Sequence, residues 1–176
     1  MKRVAGLLAL SAMAIWTGFA AAPRVKRLAL AAMEKSFDGK LEKLGAVDSF
    51  MLLGNTRGVY LEGYGAVFTS EVNLFQGPSI TPFRQSISKE DVIRVHARKV
   101  QQLPGLKRKM RDMLSDSAAS LDTVPASERI ALGVSLFYYS WEDMAGLPRQ
   151  ILMQAEKGKL LDRAADPESY IEVTEF

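Results

Sequence analysis

Residues 57–75 read RGVYLEGYGAVFTSEVNLF, and how their glycines are interpreted decides the fold. Gly58, Gly63 and Gly65 could belong to a phosphate-holding loop or to a turn between strands. A phosphate cradle needs a strand, a glycine-rich loop and then the free N–H groups of a helix N-terminus. Here an alternating apolar run follows the glycines, as a second strand requires. The reading is therefore a β-hairpin, with Gly63-Tyr64 as a two-residue turn that places Gly first. That turn pairs Glu62 with Gly65, Leu61 with Ala66 and Val59 with Phe68. It puts Val59, Leu61, Ala66 and Phe68 on one face, continued by Val72 and Leu74. Tyr60, Glu62, Val67 and Thr69 fall on the other.

Upstream, the alternation at Val47, Ser49, Met51 and Leu53 predicts a further strand, closed by Gly54-Asn55. Before it, Val25, Leu28, Ala32 and Met33 share one helical face, predicting a helix over 24–36 with a looser continuation to Leu44. Downstream, Gly77, Pro78 and Pro82 mark a loop over 73–87. Ser88 with Asp91 three residues later is a helix-capping pattern. The helical periodicity from Val92 to Leu121 is interrupted by Pro104-Gly105, which predicts a kink or a pair of helices. Alternation returns from Arg129 to Tyr139 and in RQILMQA (149–155), a helical turn or two follows over 156–164, and the tail YIEVTEF reads as an edge strand or a disordered end. The expected class is α+β: a mixed or antiparallel sheet of about five strands, in groups before and after a central helix pair, with helices on one face.

The N-terminus carries a different signal. Lys2 and Arg3 precede an apolar run from Val4 to Trp16, and small residues follow through Ala20-Ala21-Ala22. That order is a secretory signal peptide over residues 1–22, leaving 23–176 as a single exported domain, periplasmic or extracellular. The competing expectation is an uncleaved membrane anchor at 4–22, for which the apolar core falls short of the ~20 residues that span a bilayer. Removing the segment takes two of 23 basic residues and none of the 20 acidic ones, which leaves the remainder close to neutral. The chain has no Cys. This excludes disulfides, thiol catalysis, thiolate zinc sites and iron–sulfur clusters. The segments VYLEGYGAVFTSEV, SLFYYSWED and LPRQILMQA resemble a group of exported bacterial proteins of unassigned function. The resemblance implies one exported domain and no particular chemistry.

Candidate chemistry is sparse. His96, the single His, lies on or beside the apolar helix face, four residues from both Val92 and Val100. No second His or Cys accompanies it and no G-x-S-x-G occurs, so neither a metal site nor a serine nucleophile is indicated, and no cofactor is expected. Glu142 and Asp143, beside Trp141 in YYSWEDMAGLP, are the best acidic pair, with His96 as acid–base partner in a hydrolase reading. Arg94, Arg98, Lys99, Lys107, Arg108, Lys109 and Arg111 fall within Val92–Arg111 with no acid among them, whereas Glu142–Phe176 holds eight acids against four bases. This asymmetry fits an anionic partner (lipid, an acidic surface polymer or another envelope protein) or an internal match between helix and tail. Nucleic acid is not expected. The expectation is a non-catalytic envelope binding or assembly module, contacting partners through Tyr60, Tyr64, Trp141, Arg94, Arg98, Arg108 and Arg111. The alternatives are the hydrolase and a peripheral membrane protein docked through helix 92–111.

Overall fold

The computed structural model describes residues 25–44, 51–162 and 167–176. The segment read as a signal peptide and the first part of the strand expected from Val47 lie outside them. The elements run α1 (Arg27–Leu44), β1 (Met51–Leu52), β2 (Arg57–Leu61), β3 (Gly65–Asn73), α2 (Lys89–Ser120), β4 (Arg129–Leu136), β5 (Gln150–Glu156), α3 (Lys157–Leu161), α4 (Pro167–Tyr170) and β6 (Glu172–Glu175). The fold is α+β, and both strand groups share one mixed sheet. β1 and β2 lie end to end along one edge of β3, β4 pairs with β3 in parallel, and β5 and β6 follow antiparallel. A parallel neighbour needs a long crossover, and α2 supplies it.

One face of the sheet carries the core. Ala66, Phe68 and Val72 of β3 align with Ile130, Leu132 and Leu136 of β4, and these with Met153 and Ala155 of β5. Leu30, Met33, Phe37 and Leu41 of α1 and Leu106, Met110, Met113 and Leu114 of α2 close over them. Phe37 meets Phe68 edge to face at 4.9 Å. α1 also seals the β2 edge. The Glu34 carboxylate accepts from the Gly58 N–H at 2.7 Å, Arg27 donates to the Gly58 carbonyl at 3.0 Å, and Asp38 accepts from the Thr56 N–H at 2.8 Å. Backbone groups that would offer pairing to another chain are thereby occupied.

Two expectations are corrected. The hairpin is one residue out of the expected register: Leu61 faces Gly65, Tyr60 faces Ala66, Val59 faces Val67 and Gly58 faces Phe68. The loop has three residues, Glu62–Tyr64, with Gly63 and Gly65 both at positive φ. Gly65 is required because a Cβ there would lie 1.8 Å from the Arg129 carbonyl oxygen, against which β3 starts. Opposite Phe68, Gly58 leaves the space that the ring fills, since a Cβ would sit 2.6 Å from it. Val59 and Leu61 therefore point away from the core, half exposed, and Tyr60 turns toward it.

The helix pair is also corrected to one 32-residue helix with Pro104 inside it. Pro104 is exposed, while Val95, Lys99, Leu106 and Met110 are buried on either side of it. The missing N–H thus falls on an exposed stretch of the helix, where solvent can substitute for the bond, while the residues on either side are held by packing. The cap at Ser88 forms as expected, its hydroxyl accepting from the Asp91 N–H at 3.1 Å. At the far end, the buried Lys157 ammonium donates to the Leu121 and Val124 carbonyls at 2.7 and 2.8 Å, a cation at the negative end of the helix dipole.

Candidate functional site

β4 leaves the sheet at Leu136, and the chain loops through residues 137–149 before returning as β5. The Phe137 N–H donates to the Val72 carbonyl at 2.8 Å and the Leu136 N–H to the Arg149 carbonyl at 2.8 Å, which pins the neck of the loop. Beside this neck, at the C-terminal ends of the parallel strands β3 and β4, is a cleft of about 400 Å³. Its lining includes Glu71, Phe137, Tyr138, Tyr139, Met144 and Arg149, with Glu142 at the wall shared with α2. Such strand ends are a common position for ligand sites in folds with parallel strands.

The wall is ionic and closed. The Lys99 ammonium lies 2.5 Å from Glu142 Oε2, and both side chains are 1 % exposed. Lys99 also donates to the Phe137 carbonyl at 3.0 Å and sits 4.5 Å from the centre of the Tyr138 ring. The other carboxylate oxygen accepts from the Tyr139 N–H at 3.3 Å. Burial pulls the Lys99 pKa below its usual value, and the Glu142 charge opposes that shift. Burial, with Glu142 adding, pushes the Tyr138 phenol up to about 12, and its hydroxyl donates to the Pro148 carbonyl at 2.7 Å. Tyr139 stacks on Trp141 with centroids 5.8 Å apart, and Phe137 meets Tyr139 edge to face at 5.0 Å.

His96, Trp141, Glu142 and Asp143 are brought to this region, where loop and α2 meet. They do not converge on one reacting point. Asp143 accepts from the Ala145 N–H at 2.9 Å, a local turn bond. His96 Nδ1 is 3.0 Å from the Asp143 carbonyl oxygen, so Nδ1 carries the proton in that bond. Tyr60 and Tyr64 stand at the opposite end of the sheet. Tyr60 is half-buried, in correction of its expected exposure, because the register shift turns it inward to donate to Glu128 at 3.1 Å. Tyr64 donates to Gln154 at 2.6 Å.

The basic run of α2 disperses around the helix. Arg94 pairs with Asp91, Arg98 donates to Gln101 at 3.3 Å, Lys107 pairs with Glu175, Arg108 is exposed and Arg111 half-buried. Lys99–Glu142 and Lys107–Glu175 both join the basic helix to the acidic C-terminal segment, as the internal-match reading expects. Sequence reasoning missed Lys99 as a site residue, and Phe137, Tyr138, Arg149 and Glu71 with it. Lys99 had a signal: it falls on the buried stripe with Val95, Leu106 and Met110, where a lone cation requires a partner.

Among the described residues no group of three His, Asp or Glu side chains could hold a metal ion, and no helix is long and apolar enough to cross a membrane. No protein-family model, curated protein or solved structure matches this chain. Residue roles therefore rest on its own geometry.

Proposed function

We propose that the chain is a non-catalytic binding module of the cell envelope, with its ligand site in the cleft beside loop 137–149. The observation that carries this is the state of Glu142, whose carboxylate is sealed from water and neutralised by Lys99. A carboxylate so enclosed and paired anchors the loop to α2 and presents no open oxygen to a substrate. Asp143 Oδ1 and His96 Nδ1 are taken up by the loop's own backbone. What the cleft offers a ligand is aromatic wall from Phe137 and Tyr139, with Arg149 and Glu71 as charged groups at its border. Those features suit a small molecule with a flat apolar body and a carboxylate for Arg149. The export reading of the N-terminal segment supplies the compartment.

The test is affinity capture. Immobilised wild type, Tyr139→Ala and Arg149→Ala are exposed to a small-molecule extract of the envelope, and the eluates are compared by mass spectrometry. The proposal expects one compound enriched on wild type and reduced about tenfold on each variant, recovered chemically unchanged. Equal retention on all three, or recovery of a converted product, would reject it.

A further inference from the structure

The loop between β3 and α2 carries a feature that the cleft does not use. Thr81 and Arg84 bond to each other in both directions, N–H to carbonyl, at 2.9 and 3.0 Å. The Arg84 N–H is also 3.1 Å from the Thr81 hydroxyl. Between them, at the tip of this closed turn, Phe83 is 100 % exposed, and nearby Ile80 is 57 % exposed. A phenyl ring held fully in water on an ordered turn gains nothing for the fold. The turn is fixed to the start of α2, because Arg84 and Arg94 both pair with the single carboxylate of Asp91. Each guanidinium uses one donor there and has others left. Lys89 is exposed next to the helix start and Arg98 lies one turn beyond Arg94. The acids of this region are Asp91, largely covered, and the exposed Glu90.

From these contacts we infer that the turn is a docking wedge for an anionic lipid surface, with Phe83 and Ile80 entering the interfacial layer and Arg84, Lys89 and Arg94 meeting lipid phosphates. Two side chains are too little apolar area for a stable protein–protein interface, which buries about 1,600 Å². They are enough for a shallow interfacial anchor when cations surround them. The contact moves from the full length of helix 92–111 to its first turn and the loop before it. Further along α2, Lys99 and Lys107 are engaged with Glu142 and Glu175.

The chain has no cysteine, so a single thiol can report on one position of the intact protein. Phe83→Cys and, as control at the far end of the sheet, Ser127→Cys are labelled with a nitrobenzoxadiazole dye. Each is mixed with phosphatidylcholine vesicles with or without phosphatidylglycerol. The expected result is a blue-shifted, brighter emission at position 83 with phosphatidylglycerol only, and no change at 127. Adding Lys89→Glu, a substitution favourable to the helix N-terminus, should weaken the apparent vesicle affinity about tenfold, and high salt should act in the same direction. No shift at position 83, or an equal shift at 127, overturns the inference. So does a shift without vesicles that grows with protein concentration, which would make the occupant a second copy of the chain.

Discussion

Tyr138 and Lys99 share one buried spot, yet their contributions to stability run in opposite directions with pH. Burial lowers the Lys99 pKa below 10.5, so the unfolded chain holds that proton to higher pH than the folded one. Its contribution therefore rises as the pH climbs toward 10.5. Tyr138 is raised from 10 to about 12 in the fold, so the unfolded chain loses its proton first. That contribution is complete below pH 10 and drains away as the pH rises to about 12. Tyr138 is partly exposed, and with solvent screening the loss amounts to about 1 kcal/mol. Urea unfolding of wild type and Tyr138→Phe checks the sign. The wild-type advantage should shrink from pH 9.5 to pH 11.5, and a constant difference would contradict the assignment. A third buried group, Glu34, shows how local charge becomes architecture. Arg27 and then the Gly58 N–H hold its pKa low despite its burial, so its bond to the β2 edge persists until the pH falls below the usual carboxylate range.

At the level of elements, α2 invites the sharpest test. A proline inside a helix removes one hydrogen bond and costs about 3 kcal/mol relative to alanine. Because Pro104 is exposed, Pro104→Ala should lengthen no side chain into the core and should raise stability by about 1 to 3 kcal/mol, read from the urea midpoint. A loss of stability would mean that the backbone geometry proline imposes at position 104 is needed for α2 to pack on the sheet. The same helix marks the limit of sequence reading. Its cap at Ser88 and its apolar stripe were legible, because both are local patterns. Its continuity through Pro104 was not, since it depends on what packs against each half. The hairpin divides likewise. Two strands joined at the glycines could be read from alternation, whereas the register turned on the space that Gly58 leaves for Phe68 and on the Arg129 carbonyl beside Gly65. Arg129 lies outside 57–75, and alternation within the stretch does not set Gly58 against Phe68.

For the whole molecule, the long crossover ties the two strand groups into one sheet and lays the first half of α2 against loop 137–149. Of the candidate site, the loop and its acidic pair were legible from composition: aromatic residues, Glu142 and Asp143 between two strands. The partner of Glu142 was not, because Lys99 is 43 residues upstream and read as one charge in a basic run. The Lys99–Glu142 pair is structural, joining helix to loop at the wall of the cleft. Equilibrium urea unfolding of Glu142→Gln tests that claim without any ligand. Leaving the buried ammonium of Lys99 without its counter-charge should cost about 3 kcal/mol. Unchanged or increased stability would contradict the account, since that is the behaviour of a carboxylate kept for chemistry at the expense of the fold.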